Sequence, residues 1–221
     1  MSDAIPAATL VLFRPAADGP PELLMVERGA IMAFAAGALV FPGGRIDDED
    51  RVEAALPALG LDALDPDDAA ARIAALRETR EETGSDYGLT PADLTPFARW
   101  RPNFKESRTF DTRFYIAPVP ADAPDPVADG TENVRAFWAS AAAVLDMAAR
   151  GEAQLIFPTR RNLERLAQFD SFDAARDHAL VHPVELITPW VEERDGAAHL
   201  CIPDGLGYPV TAEPFVHVRR G

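Results

Sequence analysis

The chain has 221 residues, 48% hydrophobic and 26% charged, the balance of a folded globular protein and not of a disordered one. Its net charge of −15 argues against a nucleic acid polymer or an anionic membrane surface as partner, so an anionic substrate needs a cation and local arginines. Cys201 is the only cysteine, which excludes an internal disulfide and a cysteine-rich zinc site and suits a reducing, cytoplasmic setting.

In chain order, Ala8 to Phe13 and Glu22 to Glu27 read as two short strands joined by the turn-rich segment 15–21. Leu39-Val40-Phe41 is a short apolar run delivering the chain to Pro42-Gly43-Gly44, and Asp47-Asp48-Glu49-Asp50 reads as an acidic loop. Asp65-Pro66-Asp67-Asp68 is a helix start, with Asp at the cap, Pro at the first helical position and acids in the first turn. That helix should run to Thr83, where Gly84 ends it. Thr112 to Val119 and Val134 to Ala139 are further strands. Helices should start at caps Ser140, Thr159 and Ser171, and a hairpin around Asp195-Gly196 lies within 184–202. No stretch reaches the roughly 18 apolar residues of a membrane span, and the N-terminus lacks a basic region followed by a long apolar run.

The acid pattern near the end of the 65–83 helix is the most informative feature. At about 100° per residue, Glu78, Glu81 and Glu82 fall within an arc of about 100°. Like charges at these spacings each cost roughly 0.2–0.5 kcal/mol, and the negative end of the helix dipole adds roughly 0.3–1 kcal/mol. A hard divalent cation reverses that sign, since Mg²⁺ or Mn²⁺ takes oxygen ligands from a few carboxylates and substrate phosphates. Gly43-Gly44 allows close backbone approach to such a site. Arg99, Arg101, Lys105, Arg108 and Arg113 form a basic stretch suited to phosphate or to a solvated face, and Trp100 and Phe104 suit either a base or the core. The four histidines lack metal-ligand spacing.

Together Phe41-Pro42-Gly43-Gly44-Arg45 and Arg77-Glu78-Thr79-Arg80-Glu81-Glu82-Thr83-Gly84 resemble the two halves of a Nudix box. Asp50 stands where the pattern has glutamate and Thr79 where it has an apolar residue. Residues 51–76 are a spacer of 26 where the pattern has seven, with the insertion at about 51–68. Arg108-Thr109-Phe110-Asp111-Thr112-Arg113-Phe114 and Phe157-Pro158-Thr159-Arg160-Arg161-Asn162-Leu163 are similar to the split-box branch that includes peroxisomal coenzyme A diphosphatases.

The resemblance implies an α/β fold, a Nudix-type α/β/α sandwich with a mixed β-sheet, formed by one domain over 1–221 with room for a C-terminal lobe at about 171–221. It implies a metal-dependent pyrophosphatase acting on a nucleoside diphosphate linked to another moiety, with coenzyme A or an acyl derivative as one candidate. Gly43, Glu78, Glu81 and Glu82 would hold Mg²⁺ or Mn²⁺, and Arg77 would orient a neighbouring glutamate. The general base lies either on the helix, as Glu78 or Glu81, or on the loop, as Glu132. Arg45, Arg108 and Arg113 would contact substrate. Whether Asp50 or Asp47 takes the missing acidic role stays open. A homodimer is a common state of the family. The alternative is a catalytically silent Nudix-fold module that binds a nucleotide and regulates a partner.

Overall fold

The computed structural model describes residues 4–29, 36–102 and 109–218. Its elements in order are β1 (Ile5–Arg14), β2 (Glu22–Arg28), β3 (Leu39–Val40), β4 (Gly43–Arg45), α1 (Asp48–Ala54), α2 (Pro66–Thr83), β5 (Thr95–Trp100), β6 (Phe110–Pro118), β7 (Asn133–Ser140), α3 (Ala141–Ala149), α4 (Phe157–Leu166), α5 (Phe172–Val181), β8 (Leu186–Ile187), β9 (Trp190–Arg194), β10 (Ala197–Cys201) and β11 (Ala212–Pro214). The main sheet runs β3-β2-β1-β6-β5-β8, with β4 also pairing β1 and β7 pairing β2. It is mixed: β1 lies parallel to β6 from Ile5↔Phe110 to Phe13↔Pro118, and β5 parallel to β8, while the other pairs are antiparallel.

β1 is central and apolar on both faces, and the two-residue period of a strand sends alternate side chains to opposite layers. Ala8, Leu10 and Leu12 pack with Ala71, Ala74 and Ala75 of α2. Val11 and Phe13 join Val144 of α3, Leu163 and Leu166 of α4 and Ala175 of α5 on the other side. The sheet is therefore the middle layer of an α/β/α sandwich, as the sequence led us to expect. The small α2 residues let that helix lie close to β1. Leu200, Ile202, Leu206 and Tyr208 belong to the same core as α3 to α5, and Trp100 Nε1 donates to Tyr208 Oη at 3.1 Å. β9 to β11 form a separate small sheet, with Asp195 and Gly196 at φ 51° and 77° in the hairpin turn.

The α2 boundaries fall where sequence chemistry puts them. Asp65 accepts from the Asp67 and Asp68 amides at 3.0 and 3.2 Å, and Gly84 closes the helix in the left-handed region at φ 73°. The segment 47–50 differs from the expected acidic loop. Asp50 accepts the Asp47 amide at 2.8 Å, so Asp48, Glu49 and Asp50 become the first turn of α1, where acids complement the dipole. α4 starts at Phe157, two residues before the expected Thr159 cap, because Pro158 is well suited to a first helical turn.

Candidate active site

Pairing of β4 with β1 brings the glycine loop against the last turns of α2. The Gly43 amide donates to Glu82 Oε2 at 3.0 Å. A Cβ on Gly44 would overlap the Glu78 carboxylate, with Oε2 at 2.7 Å, so only glycine admits that side chain against the backbone. Gly43, Arg45, Arg77, Glu78, Glu81, Glu82 and Glu132 all line one cleft of about 810 Å³, a volume in the range of small-molecule sites. Phe41, Trp100, Phe110, Phe114, Ile156 and Pro158 supply its apolar wall and floor. Trp100 is fully buried, so its ring is floor and core together.

Arg77 organises the acids. Its Nε and Nη2 donate to the two Asp50 oxygens at 2.9 Å each, Nη1 donates to Glu78 Oε1 at 2.9 Å and Glu81 Oε2 at 3.1 Å, and Nη2 reaches the Arg45 carbonyl at 3.0 Å. Asp50 is 2% exposed and takes this bidentate role, while Asp47 sits at 3.6 Å from Nη2. Burial raises the Glu78 carboxyl, opposed by Arg77 and reinforced by Glu81 and Asp47. Burial also pushes the Glu82 carboxyl up to about 7, against the pull of the Asn133 amide and the Gly43 N–H, and the Glu78 charge adds to the rise.

Glu132 stands on the loop before β7 with its side chain 60% exposed, and Arg28 Nη2 lies 3.8 Å from its Oε2. Asp129 ties this loop together. Its Oδ1 accepts from the Thr131 amide and hydroxyl and from the Glu132 amide at 2.7 Å, and its Oδ2 accepts from the Asn133 amide at 3.2 Å and Asn133 Nδ2 at 3.1 Å. Burial alone would raise the Asp129 carboxyl, but the bonds from the Thr131 hydroxyl, the Glu132 and Thr131 amides and the Asn133 side chain hold it down at about 2.

The structure does not bring Arg113 to this cleft. Along β6, Phe110, Thr112 and Phe114 face the cleft, and the two-residue period turns Asp111, Arg113 and Tyr115 to the opposite layer. There Arg113 meets Asp68 at 3.8 Å and Asp65 at 3.9 Å, Arg99 pairs with both Asp111 oxygens, and Tyr115 Oη donates to Asp68 at 2.7 Å. Arg108, with Phe104 and Lys105, lies outside the described residues. Arg28 and Asp129 line the cleft and went unnoticed in the sequence. The Asx-turn signal of Asp129-Gly130-Thr131 was readable; no local signal marks Arg28, whose place depends on strand register.

Residues 62–158 match the family model described as NUDIX domain. The match covers less than half of the chain, and over that stretch the chain is similar to the NUDIX family. A crystallised NUDIX hydrolase from Alicyclobacillus acidocaldarius is 27% identical at a TM-score of 0.67, over 80% of this chain and 97% of that one. The NUDIX domain of Shewanella oneidensis NrtR, solved with ADP ribose, is 18% identical at a TM-score of 0.51, over 74% of this chain and 86% of its own, a likeness of fold alone. The fold is the Nudix fold, and pyrophosphate hydrolysis is the activity class.

Nudix hydrolases generally use divalent cations, and the residues here can be tested against that need. Every side-chain donor on this wall is a carboxylate oxygen, the ligand type of hard cations. Glu82 is 5% exposed and has no ion pair among the described residues, while Gly44 leaves a cradle for Glu78. No three acidic, His or Cys side chains among the described residues already converge into a closed cage; Arg77 holds Glu78 and Glu81 instead. That arrangement fits a cation with few protein ligands and phosphate or water in the rest of its shell, as Mg²⁺ is commonly bound. Among the described residues no helix is long and apolar enough to cross a membrane.

Proposed function

We propose that this Nudix cleft hydrolyses the diphosphate linkage of a nucleoside diphosphate joined to another moiety, with Mg²⁺ or Mn²⁺. The carrying observation is that Glu78, Glu81, Glu82 and the Gly43-Gly44 loop line a single cleft together with the aromatic side chains of Phe41, Trp100, Phe110 and Phe114. Glu78 and Glu82 are the primary ligands in this reading, with Glu81 and the Gly43 carbonyl as further donors. When bound between these residues, the cation would neutralise charge developing on phosphate and lower the pKa of the attacking water.

The chain's own residues do the rest. Arg77 fixes Glu78 and Glu81 in place while Asp50 fixes Arg77, so the acids are preorganised. Arg28 and Arg45 supply positive charge to the phosphates from within the cleft. Glu132, open to solvent at the cleft rim, accepts the proton of the water; Glu81, 54% exposed, is the helix candidate for the same step. The apolar wall excludes water and receives the nucleoside or the second moiety. The resemblance of the glycine loop and of 157–163 keeps coenzyme A and its acyl derivatives among the candidates. In the same reading the protein works as a cytoplasmic enzyme, and a homodimer is its expected state.

One observation favours the rival reading of a silent nucleotide-binding regulator: Arg77 already neutralises Glu78 and Glu81. A screen of coenzyme A, ADP-ribose, NADH, diadenosine polyphosphates and nucleoside triphosphates, each with Mg²⁺ and Mn²⁺, separates the two. Cation-dependent release of a nucleoside monophosphate or phosphopantetheine-type product supports hydrolysis. Binding with no turnover of any of them supports the regulator.

A further inference from the structure

α4 begins at the cleft. The Leu39 amide donates to the Gln154 carbonyl at 2.9 Å and Ala38 bridges Gln154, so the segment leading into α4 runs beside β3, and the cleft-lining Val40 and Phe41 follow on. Phe157 packs edge-on against Trp100 of the cleft floor, at 6.0 Å between ring centroids. Ile156, Pro158 and Thr159 then line the cleft themselves.

This helix end is uncapped. Ile156 at the cap position offers no side-chain acceptor, the first turn holds no acid, and Pro158 has no N–H. Among the described residues nothing accepts from the Phe157 or Thr159 amide; the first bond of the helix is Arg160 N–H to the Ile156 carbonyl at 3.0 Å. Two such amides at the positive end of a ten-residue helix favour an anion. Thr159 adds a separate observation. It stands inside the helix and not at the cap, and it is 3% exposed, yet no described residue hydrogen-bonds its hydroxyl. A buried hydroxyl facing a cleft without a partner is costly until a ligand or water satisfies it. Arg28 shares the rung of Ala38, to whose carbonyl its amide donates at 3.0 Å, and its Nε is likewise buried with no partner among the described residues.

We propose that the first turn of α4, with the Thr159 hydroxyl, seats a phosphate group of the substrate without help from a cation, on an element separate from the α2 acids. This rests on the reading of the cleft as the substrate site. The acids can meet phosphate only through a cation, whereas amide and hydroxyl donors meet it directly. The group is either the diphosphate itself or a phosphomonoester elsewhere on the substrate, and both present the same oxygens.

The probe is inorganic phosphate, titrated into the metal-free full chain with amide shifts read by ¹H–¹⁵N nuclear magnetic resonance. The Phe157 and Thr159 amides should move and saturate together. Thr159→Val keeps the shape and removes the hydroxyl; it should weaken phosphate about 10-fold, and Thr159→Ser should recover most of that loss. ADP-ribose and its 2′-phosphate derivative, also without metal, separate the two sources. Thr159→Val weakening both assigns the seat to the diphosphate, and weakening only the derivative assigns it to the monoester. If the two amides stay unmoved by phosphate, or if folded Thr159→Val weakens neither nucleotide, the proposal is wrong. The parent chain's amide shifts decide alone if Thr159→Val fails to fold. No arm uses metal or turnover, so a cleft that binds without hydrolysing leaves the result intact, and failure of the seat leaves hydrolysis to be judged by Glu82→Gln.

Discussion

The adjacent glycines of the loop should fail in opposite ways. In Gly44→Ala the new Cβ overlaps Oε1, Cδ and Oε2 of Glu78, the last at 2.7 Å. All three belong to the end of a flexible side chain, so the carboxylate retreats by roughly 1 Å at about 0.5–1.5 kcal/mol of rotamer strain. At about 2–4 °C per kcal/mol for a chain of this size, the melting temperature falls by no more than roughly 6 °C. A displacement of about 1 Å at a reacting centre costs on the order of 100-fold in rate, or about 2.7 kcal/mol of transition-state stabilisation. In Gly43→Ala the Cβ meets the Ala8 carbonyl oxygen and, at 2.7 Å, Thr9 Cα. These are backbone atoms of β1, which is held by β4 on one side and paired with β6 along its length. Strand separation should cost about 1–3 kcal/mol or more, as overpacking does. Differential scanning calorimetry and kcat/KM on the substrate found by the screen read the two effects separately. Full activity in Gly44→Ala, or a larger loss of stability there than in Gly43→Ala, would refute the placing of Glu78 against the loop.

Three other outcomes are expected. Asp50→Ala removes a buried carboxylate that takes two Arg77 bonds and the Asp47 amide; Arg77 keeps Glu78 and Glu81, so the loss should be about 2–3 kcal/mol, below the roughly 3–5 kcal/mol of a fully broken buried pair, read as a shift of the urea midpoint. His178, stacked on His182 and beside Arg165, is held down to about 4 by burial first and then by the charges of Arg165 and His182. The unfolded chain, near 6.5, therefore binds the extra proton between those values. Stability should fall as pH drops from about 6.5 to 4, and His178→Gln should lose that part of the slope in melting temperature against pH. Arg113→Ala should leave KM within about twofold, its pairs at 3.8 and 3.9 Å being worth little, whereas Arg28→Met should raise KM about tenfold or more, the cost of a lost charge-assisted contact.

Local chemistry made α2 readable. Asp65-Pro66 and Gly84 mark its ends, and the 3.6-residue period puts Glu78 and Glu82 on the glycine-loop face. What sequence alone left hidden depends on strand register. Arg113 sits in a basic stretch, yet one residue either side of it, at Thr112 and Phe114, the side chains enter the cleft and its own does not. The pairing of β1 with β6 joins segments about a hundred residues apart, and no local pattern encodes that choice. Asp47 to Asp50 illustrates a different failure: a run of acids suggests solvated loop until the side chain of its fourth member is seen to bond the backbone of its first.

The most direct test is turnover by Glu82→Gln, measured with the screened substrate at saturating Mg²⁺ or Mn²⁺ alongside its melting temperature. The expected result is a folded protein whose hydrolysis falls by at least about 100-fold, as when a charge-stabilising group is removed. Hydrolysis at the parent rate by that folded variant would contradict it.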